Sequence, residues 1–233
     1  METGLTKQQE KDFFAGALPW LLPTPLAAEA LAKLDRPLAA WMNDPELEMF
    51  DSEDFYVEYE DEPGGLSRLE REIAKLPPRP TWRMERVWQP AAGSSDEHNR
   101  AYEDGCVTIG GHRLHPRCLD DYSTIAYQLA GLDSEEEDDG DAPPPGDLNA
   151  ALEWARAGVC VLQQSLPFPF RDVLSYGELD NRPAHRILYA YADLLRHTKP
   201  RKAGTWFRAM VFLNPQDNVG ARFRAPGGPK QAF

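Results

Sequence analysis

The sequence predicts a mainly helical α+β fold, with N-terminal helices, a small antiparallel sheet and a C-terminal helical hairpin. Three observations predict it. Apolar residues recur at three- and four-residue spacing in most of the long segments. A Gly110-Gly111 pair sits between the short runs CVTI and HRL, where a two-residue hairpin needs positive φ. Near the C-terminus, RPAHRILYAYADLLRH and KAGTWFRAMVFL are separated by only a short polar turn.

The elements follow in order. LTKQQEKDFFAGALPWLLP reads as an amphipathic helix with Leu5, Phe13, Phe14 and Leu18 on its apolar side, stopped by proline. PLAAEALAKL is built of strong helix formers, and the Arg36-Pro37 step separates it from a short helix at LAAWM. FYVEYE alternates aromatics with carboxylates and predicts a strand with one acidic face, at an edge or facing a partner. Leu66, Leu69, Ile73 and Leu76 space a helix that Pro77 and Pro78 end. TWRMERVW alternates like a strand, and PAAGSSDEHN reads as a loop. After the glycine hairpin, DDYSTIAYQLAGL predicts a helix capped by Asp120 or Asp121 and stopped at Gly131.

Residues 133–147, DSEEEDDGDAPPPGD, carry eight carboxylates and three successive prolines with almost no apolar anchor. That composition predicts a solvated linker between an α+β region, 1–132, and a helical region, 148–233. Beyond it, Asp147 is placed to cap a helix bearing Leu148, Leu152, Trp154, Ala155, Val159 and Leu162, which PFPF breaks. Pro183 stands where a helix's first turn has no use for its N–H, and Ile187, Leu188, Tyr191, Leu194 and Leu195 form a broad stripe. After a turn at Thr198 to Arg201 and a second helix, NPQDNVGARF is expected to begin a third.

Within this pair, Leu188, Tyr191, Ala192 and Leu195 give a large, large, small, large pattern. Ala203 and Phe207 follow at small and aromatic positions, and Pro215 follows the second helix. The stretch from Gly177 to Phe223 resembles one tetratricopeptide repeat, with a turn one residue shorter than usual and Met210 where a small residue is customary. The resemblance implies protein or peptide binding on a concave face. On the first helix, Arg186, Tyr189 and Asp193 would line it, with Arg182 and His185 beside its start. Arginine holds carboxylates bidentately, so the implied ligand is a protein or acidic peptide.

Charge distribution bears on function more than the total of −13. From Pro167 onward there are eleven Lys/Arg against five Asp/Glu, a net +6, while the preceding part carries fourteen against thirty-three, a net −19. A net-acidic chain disfavours direct nucleic-acid binding. The tracts Asp51 to Glu62 and Asp133 to Asp147 offer an alternative reading, an acidic mimic of nucleic acid that inhibits a basic partner. No apolar run approaches a membrane span, the first residues lack the apolar core of a secretory signal, and three cysteines form no disulfide framework, so the expected setting is the cytoplasm.

Chemistry is confined to GCVTIGGHRLHPRCL, where Cys106, His112, His115 and Cys118 have ligand-type side chains in the spacing C-x5-H-x2-H-x2-C. No C-x2-C knuckle accompanies them, and alternation along two strands sends the side chains to opposite faces, so a metal is not favoured. The same cysteines and histidines are the only candidates for a thiol nucleophile. The sequence contains no phosphate loop, dinucleotide fingerprint, G-x-S-x-G or H-E-x-x-H, and it calls for no cofactor. It therefore predicts a non-enzymatic interaction protein of bacterial type, acting as adaptor, inhibitor or regulatory subunit.

Overall fold

A computed structural model describes residues 18–34, 67–84, 96–132, 145–167 and 170–229, with 96–99 and 101 described by backbone alone. Among these residues seven α-helices and one two-stranded antiparallel sheet give the mainly helical α+β architecture. The expected first helix up to residue 17, the LAAWM helix and the FYVEYE strand lie outside the described residues.

Helix α1, Pro25–Ala32, starts where the Thr24 hydroxyl accepts the Ala27 N–H. Helix α2, Arg68–Ile73, opens with a reciprocal capping box between Ser67 and Glu70. Helix α3, Asp96–Gly105, occupies part of the expected loop after TWRMERVW. Its sequence DEHNRAYEDG has only the adjacent Ala101 and Tyr102 among polar residues, so there is no apolar periodicity to register. The expected strand in TWRMERVW reduces to one parallel bridge, Thr81 with Val173, and Trp82 to Met84 run on without strand pairing. A side chain supplies the missing ladder, because Asn181 bonds Met84 N–H and Trp82 C=O directly.

Strands β1, Val107–Ile109, and β2, His112–Leu114, pair in the register Val107 to Leu114, with Gly110 and Gly111 at φ 53° and 84° in the turn. The inward residues Ile109 and Leu114 are buried. Helix α4, Leu119–Ala130, begins two or three residues earlier than expected, with Cys118 in the cap position and no side-chain cap bond. Asp120 and Asp121 fall in its first turn and are committed to tertiary partners instead. Gly131, at φ 73°, ends it as expected.

Helix α5, Leu148–Gln164, is capped by the Asp147 carboxylate, which accepts Asn149 and Ala150 N–H. Helices α6, Arg182–Arg196, and α7, Pro200–Leu213, form the hairpin. Tyr191 meets Trp206 edge-on with ring centroids 5.2 Å apart, and Tyr189 meets Phe207 at 5.5 Å, pairs that fit two antiparallel helices joined by a three-residue turn. The expected third helix is absent: Asp217 and Gly220 take positive φ, 48° and 74°, and Ala221–Phe223 is a single 3-10 turn. The Asp217 carboxylate accepts Ala221 and Arg222 N–H, an arrangement that favours the turn over a continued helix.

The residues on either side of the acidic segment belong to one hydrophobic core. It joins Leu119, Tyr122, Ile125 and Ala126 of α4 to Trp154, Val159 and Leu162 of α5 and to Ile187, Leu188 and Phe207 of the hairpin. The chain also returns to the point it left, because Gly146 N–H donates to Ala130 C=O at 2.9 Å and Asp147 N–H to Leu129 C=O at 2.8 Å. Residues 133–144, which lie outside the described residues, are thus bracketed by two helices in direct contact. Gln163 secures the N-terminal strand of chain to this core, accepting Leu21 N–H and donating to Pro19 C=O.

Candidate functional site

Helix α4 packs against α6, the helix whose outer residues the sequence assigns to a ligand. At the start of α6, Arg186 forms a bidentate pair with Asp120 of α4, both contacts 2.7 Å. Arg182 stacks its guanidinium over Tyr176 at 5.0 Å and donates to that residue's carbonyl. His185 is 0% exposed, with Nε2 on the Leu174 carbonyl and Nδ1 among the buried atoms without a partner. Tyr189 rests edge-on against Phe207 and is half-buried. Asp193 is 7% exposed and accepts from Arg196 at 2.8 Å, with Arg224 at 3.8 Å. His185 and Asp193 therefore present almost no surface to a partner, while Arg182, Arg186 and Tyr189 are engaged within the chain yet partly exposed.

Burial pushes His185 down to about 4, with the nearby Arg186 charge adding to the effect and the Leu174 bond opposing it. The folded protein holds a neutral imidazole, whereas the unfolded chain protonates near 6.5. Between these values the unfolded state binds the extra proton, so stability falls as pH drops from about 6.5 to 4, by about 3 kcal/mol in all. Urea titrations across that window are expected to show this slope in the wild type and a flatter one in His185→Gln. Equal slopes would contradict it.

The four sulfur and imidazole residues of the hairpin divide between two surroundings, His112 on α5 and the other three around Tyr102 and Asp121. His112 turns edge-on to Trp154 at 5.0 Å, packing the sheet against α5. His115 stacks at 5.7 Å on Tyr102 of α3 and closes over Gly105, where a Cβ would collide with it. Asp121 holds this corner by accepting Tyr102 Oη–H at 2.8 Å and His115 N–H at 2.7 Å. His115 Nδ1 accepts Arg117 N–H, so that lone pair is already used. Among the described residues no group of three or more His, Cys, Asp or Glu is placed to hold a metal ion. Burial, reinforced by the Asp121 charge, pushes the Cys118 thiol up, and burial likewise raises Cys106. Protonated thiols are poor nucleophiles. The cluster works as a corner joining α3, the sheet and α4.

The tip of the helical hairpin holds charges that the expected turn at Thr198 to Arg201 does not flag. Between Leu194 and Leu213 the chain has Arg196, Lys199, Arg201, Lys202 and Arg208 and no carboxylate. Lys199, Arg201 and Lys202 are exposed at the turn, and among the described residues none of them pairs with a carboxylate. Beside them a cleft of about 600 Å³ opens between the end of α6, one stripe of α7 and the C-terminal tail. The run RHTKPRK was visible in the sequence, but only folding shows that Arg224, twenty-two residues after Lys202, joins it.

No family model, curated protein or solved structure matches this chain. Among the described residues no helix is long and apolar enough to cross a membrane. The acidic tract Asp51 to Glu62 lies outside the described residues, as does all but Pro145, Gly146 and Asp147 of the tract that begins at Asp133.

Proposed function

We propose that this chain is a cytoplasmic protein-interaction module, an adaptor, inhibitor or regulatory subunit, whose α6–α7 hairpin binds an acidic segment of a partner protein. The observation that carries the reading is the exposed cationic tip formed by Lys199, Arg201 and Lys202. A helix N-terminus disfavours cations by about 0.3–1 kcal/mol each. Yet the first turn of α7 carries Arg201 and Lys202 after Pro200, has no acidic residue, and has no side-chain cap bond at Lys199. Local helix stability would prefer the opposite charges. An incoming carboxylate relieves the repulsion and meets both the cations and the first N–H groups of the helix.

The resemblance of the hairpin to a tetratricopeptide repeat points the same way, with recognition at the turn in place of a face on which His185 and Asp193 are buried. The raised thiols of Cys106 and Cys118 and the dispersal of the hairpin histidines support binding over catalysis. Fluorescence anisotropy with a labelled deca-glutamate at low salt tests the reading. Wild type is expected to bind, and affinity to fall steeply as salt is raised. The triple variant Lys199→Glu, Arg201→Glu, Lys202→Glu is expected to lose at least about tenfold in affinity while keeping its helical circular dichroism. Equal binding by the variant would overturn the assignment.

A further inference from the structure

The cleft beside the tip is apolar only where a ligand cannot reach. Of the residues that line it, Ala203, Gly204 and Phe207 of α7 are buried. The accessible lining is Arg196 and His197 from the end of α6 and Arg224 from the C-terminal tail, with Pro200 beside them. A Cβ on Gly204 would come within 2.9 Å of the Pro226 ring, so glycine lets the tail that carries Arg224 lie against α7.

One buried oxygen organises the two arginines. Asp193 Oδ1 accepts the Arg196 Nε–H at 2.8 Å and lies 3.8 Å from Arg224 Nη1, so guanidinium groups from two separate elements are held around the same atom. Side-chain exposure rises from 11% at Asp193 to 15% at Arg196 and 37% at Arg224, which places the negative charge inside and positive charge toward solvent. Both guanidiniums stay charged at any working pH and carry more N–H donors than one carboxylate accepts. No further carboxylate lies between Leu194 and Leu213, and Lys199, Arg201 and Lys202, although outside the lining, add to the positive potential.

We infer that this cleft binds the phosphate group of a phosphate monoester, with Arg224 and Arg196 as its charge partners. A monoester phosphate carries about −1.5 to −2 charge at pH 7 and offers three acceptor oxygens. A carboxylate has a single charge and two oxygens, one guanidinium's worth, and Asp193 already supplies that. The dianion therefore uses the remaining charge and donors more fully, and arginine's planar fork matches phosphate bidentately. The side chains involved differ from the three at the tip, so the inference goes beyond the binding of an acidic segment and does not depend on it.

Two heptapeptides test it, each with six glutamates around a central residue, serine in one and phosphoserine in the other, titrated into the full chain at low salt. The phosphoserine peptide is expected to bind at least about tenfold more tightly. Arg224→Ala is expected to remove most of that ratio and Arg224→Lys to keep part of it, with circular dichroism confirming that each variant is folded. The triple variant Lys199→Glu, Arg201→Glu, Lys202→Glu is expected to weaken both peptides and leave the phosphoserine peptide the tighter one. Free O-phosphoserine separates the sources of the phosphate: affinity equal to that of the peptide assigns it to a small phosphorylated molecule, and weaker affinity to a phosphorylated side chain of a partner. Equal binding of the two peptides overturns the phosphate site and leaves the acid-binding tip standing. A ratio untouched in Arg224→Ala overturns the site as well, because the phosphate then lies elsewhere. Binding of the phosphoserine peptide alone, with none of the serine peptide, supports the phosphate site and counts against the tip.

Discussion

Gly158→Val is expected to abolish cooperative folding. Gly158 sits in the middle of α5, where α4 and α6 both press against the backbone. A Cβ placed there would lie 2.7 Å from two carbons of Ile187 and 2.7 Å from the Tyr122 Cβ. One of those contacts involves the root of a side chain rather than its movable end, so relief requires shifting a helix. Replacing glycine by alanine in a free helix gains about 1 kcal/mol, whereas forcing a methyl into a packed core costs about 1–3 kcal/mol, occasionally more. With a collision on each side the cost prevails, and Gly158→Ala is expected to lose about 1–2 kcal/mol net. Valine adds two further methyl groups to the same space, against a total stability of only about 5–15 kcal/mol for an ordinary domain. Urea denaturation followed by circular dichroism reads both outcomes, and a midpoint for Gly158→Ala above the wild type would show that the three helices do not meet this closely.

Asn181→Ala is expected to cost about 3–5 kcal/mol, the next largest effect. The Asn181 side chain is fully buried and serves three backbone groups. Its Nδ2 donates to the carbonyls of Trp82 and Ser175 at 2.8 and 3.1 Å, and its Oδ1 accepts Met84 N–H at 2.9 Å. Alanine leaves three polar groups unsatisfied in a space that water enters only by loosening the core, at about 1–3 kcal/mol for each group. The same junction is supported by Arg79, whose guanidinium donates to the carbonyls of Phe212 and Arg171 and remains charged at neutral pH although burial lowers it to about 10. Loss of Asn181 should therefore release residues 81–84 and the approach to α6 together. A change in the urea midpoint worth less than about 0.5 kcal/mol would mean that this segment is held by other contacts.

How much of this was readable beforehand depended on whether a residue acts locally. Gly110-Gly111, Gly131, Asp147 and Pro183 satisfy backbone demands within a few residues of themselves, and each stands where local reasoning put it. Asp120 and Asp121 look like caps by the same reasoning, but they serve Arg186 in α6 and Tyr102 in α3, partners that only the tertiary fold supplies. The alternation of TWRMERVW signals an extended chain correctly at Thr81, but a strand needs a neighbour, and the described one offers a single bridge. Helix α3 has almost no apolar residue to reveal a period. The acidic composition of residues 133–147 predicts a separator, yet composition carries no information about Gly146 bonding back to α4.

The candidate site shows the same division. The basic run at the hairpin turn is sequence-local and its sign was legible in the +6 of the C-terminal part. The burial of His185 and Asp193 was not, because it follows from tertiary neighbours, Leu174 and Tyr176 over His185 and Arg224 beside Asp193. Tetratricopeptide-like spacing describes how two helices pack and is silent about what a preceding helix covers. Arg224 reaches the cleft after the turn at Asp217 to Phe223, where the sequence predicts the start of a third helix.

The central claim is that the cationic end of the α6–α7 hairpin is where this chain meets its partner. Backbone amide shifts of isotope-labelled wild-type protein, followed while deca-glutamate is added at low salt, test it most directly. The expected result is a contiguous set of perturbed amides from Arg196 to Gly204 and from Arg222 to Gly227, with α5 and the β1–β2 hairpin unchanged. Perturbations centred on α1, α5 or the His112 to Cys118 corner, with the hairpin tip unmoved, would contradict it.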